Sequence, residues 1–203
     1  MIIGITGGIG SGKSTIVKEL AKRGFAVYDC DREAKRIITE NKQIQKAIIE
    51  LLGEDAFLPS LQGRDGGRLT YNTAFVAKRV FAEPELLSRL NAIVHPAVKA
   101  DIMNKQPDFI ESAILFEAAL DAFCDKVIVV EAPEEIRIAR VIARDYNNAA
   151  TPENIDKVRA RMQTQQKSPA SQAATQGKIF TVVNDGSLVL SRIVDLVCHI
   201  AAH

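Results

Sequence analysis

GITGGIGSGKST, residues 4–15, packs five glycines, a lysine and a Ser-Thr pair directly behind the apolar start of the chain. MIIGIT (1–6) reads as a short buried strand stopped by glycine. From Ser14 the pattern changes: Ile16, Val17, Leu20 and Ala21 recur at helical spacing, and Gly24 closes the run. Between the two, GGIGSGKS (7–14) matches G-x-x-x-x-G-K-[ST] in full, in the strand-to-helix setting its mechanism requires. Gly8, Gly10 and Gly12 let backbone N–H groups converge on phosphate oxygens, with Ser11 and Thr15 completing the wrap. The helix beginning near Lys13 adds its unpaired N–H groups and the positive end of its dipole. Lys13 supplies a mobile charge for the β and γ phosphates, and Ser14 offers a hydroxyl to Mg²⁺. A Rossmann dinucleotide turn is the other glycine-rich candidate, but Lys-Ser-Thr directly after the glycines favours a nucleoside triphosphate. The loop therefore holds ATP or GTP, without saying which.

Working outward, FAVYD (25–29) is the next short strand, so the chain opens with a βαβ unit and a parallel sheet is expected. A helical run follows over 33–52, with Ile37, Ile38, Ile44, Ile48 and Leu52 on one face and Gly53 at its C-cap. Residues 54–72 read as a surface excursion rich in turn formers. Helices are expected over 73–82 and 85–104, with Pro84 suited to the start of the second and Pro96 bending it after His95. This helical block reads as an insertion on the sheet, of the kind that commonly carries substrate specificity. Strands are expected at SAILFE (112–117), KVIVVEA (126–132) and KIFTVVN (178–184). Helices are expected over 134–145, from Thr151-Pro152 onward, and after Ser187. The stretch 167–177 is small, polar and nearly featureless.

With 26 Lys plus Arg against 25 Asp plus Glu, the 203-residue chain carries a formal charge of +1, which argues against a nucleic-acid binder built on a basic surface. Its three cysteines, Cys30, Cys124 and Cys198, lack metal-ligand spacing and read as reduced thiols. No basic leader or cleavage site precedes the first apolar segment, and no run approaches the ~18 apolar residues of a membrane span. A soluble cytoplasmic protein with no membrane association and no evident obligate protein partner is expected.

A GTPase switch would carry N-K-x-D after a strand; the one N-K here, Asn41-Lys42, lies in a helical pattern with Ile44 at the Asp position. A small phosphotransferase fits better. Asp31, in D-C-D (29–31) at the end of the second strand, is placed to accept a hydroxyl proton or organise Mg²⁺; position alone allows an N-cap equally well. Arg137, Arg140 and Arg144 share a helix face, read either as a solvated stripe or as a clamp on the transferring phosphoryl group.

In order, GITGGIGSGKST, Y-D-C-D, N-A-I-V-H-P (91–96), A-I-L-F-E (113–117) and V-N-D-G (183–186) resemble the dephospho-CoA kinase family over nearly the whole chain. The resemblance implies transfer of the ATP γ-phosphoryl to the ribose 3′-hydroxyl of dephospho-CoA, the last step of CoA synthesis; a kinase of another nucleoside or nucleotide is the alternative. It implies a P-loop, three-layer α/β/α fold with a five-stranded parallel sheet, a helical substrate-binding insertion and a lid. The corresponding division is a single kinase domain: core about 1–31, 108–140 and 177–203, helical subdomain about 32–107, lid about 141–176. Asp31 matches the family's base, with Mg²⁺ held by Ser14 and Asp31. Arg140 and Arg144 match its lid-side arginines, Arg144 toward the nucleotide, and His95 falls on its H-P, toward the acceptor. Ala113, Thr73 and Lys178-Ile179 depart from the family's pattern, with Arg68 or Arg79 standing in for an arginine missing at 73.

Overall fold

The computed structural model describes residues 1–59, 69–165, 178–187 and 190–202. In chain order the elements begin β1 (Ile3–Thr6), α1 (Lys13–Lys22), β2 (Val27–Asp29), α2 (Cys30–Glu40) and α3 (Lys42–Leu52). They continue with β3 (Phe57–Pro59), β4 (Leu69–Tyr71), α4 (Thr73–Ala82), α5 (Pro84–Lys105), β5 (Phe109–Glu111) and β6 (Lys126–Glu131). The last are α6 (Glu134–Asp145), α7 (Pro152–Gln165), β7 (Ile179–Val183) and α8 (Leu190–Ala202). The chain divides into two compact units, Met1–Asp29 with Gln106–His203, and Cys30–Lys105.

The first unit is built on a five-stranded sheet in the order β2-β5-β1-β6-β7, with every pairing parallel. Ile3 lies opposite both Phe109 and Lys126, so β1 is central and needs apolar side chains on each pleat. Ile3, Ile5, Phe109, Ile128, Val130 and Val182 form one core with Ile16 and Leu20 of α1 and Ile193, Val194 and Val197 of α8. Each such side chain contributes about 1.5–3 kcal/mol by leaving water. Ile138, Val141 and Ile142 of α6 form a second cluster with Val158 and Met162 of α7, and Ile9 packs against it. Thr151 caps α7 as expected, its Oγ1 accepting from the Asn154 N–H at 3.3 Å.

The second unit is helical, with a short antiparallel ribbon, β3 against β4. Ile37, Ile38, Ile44, Ile48 and Leu52 are buried, as are Leu90, Val94, Val98 and Ile102 along α5. Its buried carboxylate, Glu33, is 8% exposed and lies 2.8 Å from Arg36 Nε and 2.6 Å from Lys105 Nζ. Arg36 reaches on to Asp101 at 2.8 Å.

Three expectations are corrected. The strand placed at 112–117 is β5, Phe109–Glu111, and residues 113–119 are turns. Ser112 Oγ accepts from the Ile114 N–H at 3.2 Å, and the Leu120 N–H returns to the Leu115 carbonyl at 2.9 Å. Leu115, Phe116 and Ala118 are buried all the same, because an apolar run reports burial rather than conformation. The helix over 33–52 breaks at Asn41, whose carboxamide accepts from the N–H groups of Gln43 and Ile44 and starts α3. The excursion at 54–72 contains the β3–β4 ribbon, with the Phe57 and Tyr71 rings 5.5 Å apart. Helix α5 is one continuous helix that contains Pro96, in keeping with the single helix expected over 85–104. The segment 167–177, Arg68 and the residues directly after Ser187 lie outside the described residues.

Candidate active site

The loop 7–14 leaves the central strand β1 where the sheet order reverses: β5 flanks β1 on one side and β6 on the other. Open parallel sheets bind ligands at such points, because the chain departs in opposite directions from neighbouring strand ends. Helix α1 starts at Lys13 behind Gly12, whose φ of 95° is left-handed. A Cβ at Gly12 would strain that turn and overlap the Asn184 amide. The first turn of α1 holds no acidic residue and its N-cap supplies no side-chain acceptor, so the positive helix end is left for an external anion. Lys13, 8% exposed, rests its ammonium on the carbonyls of Gly7 at 2.7 Å and Gly8 at 3.3 Å.

Other carbonyls of the loop are held from outside. Arg137 Nε donates to Ile9 O at 2.8 Å, and Arg140 Nη1 donates to Ser11 O at 3.2 Å. Asn184, buried after β7, donates to the same Ser11 carbonyl at 2.9 Å and accepts from Arg140 Nη2 at 3.2 Å. Drawing these carbonyls outward directs the intervening N–H groups to the inner side of the loop, where phosphate oxygens bind.

The arginine stripe therefore divides. Arg137 and Arg140 brace the loop, whereas Arg144 forms a two-point contact with Asp145, at 2.6 and 3.1 Å. Arg161 reaches the same carboxylate at 2.9 Å, and the two guanidiniums pull the Asp145 carboxyl down to about 2. Ser14 is exposed, and its hydroxyl donates to Glu111 Oε1 at 3.0 Å. A hydroxyl and a carboxylate facing solvent fit Mg²⁺, which takes hard oxygen ligands and keeps several waters. Among the described residues no three His, Cys, Asp or Glu gather as a metal cage, and a phosphate-bound Mg²⁺ does not need one.

A cleft of about 370 Å³ opens beside the loop, lined by Thr6, Gly7, Gly8, Ser11, Glu117 and Arg137 among others. The remaining sequence-predicted residues, Asp31 and His95, belong to the helical unit. Asp31 lies exposed in the first turn of α2, one residue past the helix start, so it is not the N-cap. His95 is half-buried on α5, where burial and then the Lys99 charge lower its pKa. Sequence reasoning missed Asn184 and Glu111 as parts of the site. V-N-D-G contained the signal for Asn184, whereas Glu111 was hidden by placing its strand three residues late.

The family model described as Dephospho-CoA kinase matches residues 1–189. The chain belongs to the dephospho-CoA kinase family. A dephospho-CoA kinase of Porphyromonas gingivalis is 37% identical over 188 residues, covering 90% of this chain and 85% of the relative. One from Fusobacterium nucleatum is 39% identical over 163 residues, covering 77% and 80%. The crystal structure of a Thermus thermophilus protein aligns at a TM-score of 0.73 with 32% identity, covering 98% of this chain and 96% of that one. A dephospho-CoA kinase from Campylobacter jejuni shares the fold at a TM-score of 0.62 and 21% identity, covering 99% and 97%. Among the described residues no helix is long and apolar enough to cross a membrane.

Proposed function

We infer that this chain is an ATP-dependent dephospho-CoA kinase, moving the γ-phosphoryl group to the ribose 3′-hydroxyl and releasing CoA and ADP. Family membership over residues 1–189 carries this reading, and the complete phosphate loop with its bracing from α6 and Asn184 supports the donor half. Gly8, Gly10, Ser11, Gly12 and Thr15 bind the triphosphate through the loop and the α1 N-terminus. Lys13 leaves the Gly7 and Gly8 carbonyls to follow the β and γ oxygens. Ser14 would hold Mg²⁺, with Glu111 orienting the Ser14 hydroxyl and Asp31 as a further oxygen donor, and the ion would supply positive charge to offset that of the phosphates. Asp31 accepts the proton of the 3′-hydroxyl as the new P–O bond forms and the bond to ADP breaks. Arg140 and Arg144 supply positive charge toward the nucleotide, Arg144 after exchanging Asp145 for phosphate. His95 contributes to the acceptor site. The helical residues 32–107 serve as the acceptor-binding subdomain and 141–176 as the lid, in a cytoplasmic enzyme.

Incubating the chain with MgATP and dephospho-CoA should yield CoA and ADP, with other nucleosides and nucleotides turned over far more slowly. Folded protein that gives no CoA refutes the assignment. Asp31→Asn should lower kcat by about 10²–10⁴-fold, and a loss under about threefold removes Asp31 from the role of base.

A further inference from the structure

Among the described residues two buried side-chain polar atoms lack a hydrogen-bond partner: Ser11 Oγ and Arg137 Nη2. Both residues line the same cleft beside the phosphate loop. Buried polar groups are rarely left unpaired, since each unmade bond keeps the full cost of desolvation. Two such atoms in one cleft therefore indicate an absent partner rich in acceptor oxygens. The arginine is held firmly: Nε is fixed on the Ile9 carbonyl at 2.8 Å, so the guanidinium plane is set by one edge. Its other edge overlies Gly8, where a Cβ would overlap Nη2 and come within 2.8 Å of Cζ. Burial lowers its pKa, opposed by Glu134, yet a guanidinium stays charged at any physiological pH.

The end of the loop at which this donor sits identifies the partner. Lys13, the side chain that serves the β and γ phosphates, rests on the carbonyls of Gly7 and Gly8. Arg137 stands over the same Gly8. The two cations thus flank the strand-side end of the loop, away from the α1 N-terminus, whose N–H groups hold the inner phosphates.

We propose that Arg137 is a phosphoryl-binding residue of this kinase: its free Nη2, with the Ser11 hydroxyl, takes an oxygen of the transferring γ-phosphate while Nε keeps the loop in place. This role rests on the nucleotide site inferred above and assigns Arg137 a task separate from that of Arg140, which adds its charge while Nη1 donates to the Gly10 and Ser11 carbonyls and Nη2 to Asn184. One arginine reads the state of the nucleotide and the other holds the cradle.

The test is the ratio of affinities for a non-hydrolysable ATP analogue and for ADP, both with Mg²⁺, measured by calorimetry on the full chain. Arg137→Met should lower that ratio about 10–100-fold, the range of one hydrogen bond between charged groups. Arg137→Lys can keep a cation on the Ile9 carbonyl but lacks the second edge, and should lower the ratio by at least about threefold. An unchanged ratio in the lysine variant overturns the proposal even if the methionine variant fails to fold. Equal losses for both nucleotides overturn it as well, leaving Arg137 as a loop brace. Because no acceptor is present, failure here is distinguishable from failure of the dephospho-CoA assay.

Discussion

Arg137 in the sheet unit and Glu33 in the helical unit are both charged groups withdrawn from water, and they are treated in opposite ways. Glu33 is saturated, with Arg36, Lys105 and the exposed Arg32 around one carboxylate. Hydrogen bonds from Lys105 and then Arg36 hold its carboxyl below the usual range. Arg137 spends one edge on a backbone carbonyl and leaves the other unpaired. A saturated buried charge fixes the packing of its own neighbourhood. An unsaturated one stores desolvation cost that a ligand relieves on binding. Loop substitutions should therefore damage phosphate chemistry and spare stability, and substitutions in the ionic cluster should do the reverse.

The largest effect expected is at Lys13. Lys13→Met should lower kcat about 10²–10³-fold, the usual loss of one electrostatic contact to a developing charge. Its Tm should move by less than about 3 °C, because the ammonium rests on the loop carbonyls of Gly7 and Gly8 rather than on the core of the sheet unit. A fall in Tm matching the fall in rate would erase the contrast. Glu33→Gln should cost about 1–3 kcal/mol, below the usual figure for a broken buried pair because its cations are partly solvated. That corresponds to roughly 3–9 °C in Tm, with ATP affinity unchanged; calorimetry and thermal melts on one sample check both halves.

The smallest effect concerns acid. The Asp145 carboxyl sits at about 2 when folded, well below its ordinary value of 3.8, because Arg144 and then Arg161 donate to it. A depressed carboxyl stabilises the fold fully above its unfolded pKa, and that contribution is lost as pH falls from about 4 toward 2. Both arginines are about half exposed, so screening reduces the contribution to ~1 kcal/mol. Asp145→Asn should lower Tm by the few degrees that ~1 kcal/mol represents above pH ~5, leave it little changed near pH 2, and so flatten the acid limb between. An acid limb identical to that of the unaltered chain would mean the contact is solvated in the native state.

Much of the strand–loop–helix geometry was legible because its elements are local. Residues 3–14 specify strand, loop and helix start within one short stretch, and glycine, lysine and serine sit at the spacing of a phosphate-binding loop motif. Helices α4, α6 and α7 fall where apolar period and caps put them, since Pro152 and Thr151 act on their immediate neighbours. The errors share a cause. SAILFE is apolar for the sake of burial, and only the surrounding chain makes Leu115 a buried turn residue and Glu111 a strand end beside Ser14. Asn41 looks like one polar residue in a helical run until its side chain accepts two backbone N–H groups.

The sequence alone thus determined a phosphate-loop motif between strand and helix of a parallel sheet, a helical insertion and the order of motifs that marks the family. Each of these depends on residues close together along the chain. Tertiary structure decided how the arginines divide: Arg140 with Asn184 on the Ser11 carbonyl, Arg144 on Asp145, and Arg137 with an unspent donor over Gly8. Those three face the same way on one helix, and helical spacing gives them the same description. What separates them is the partner each meets: Arg137 and Arg140 reach loop carbonyls 128 and 129 residues away, whereas Arg144 takes the adjacent Asp145, and contacts over such separations leave no periodic trace in sequence.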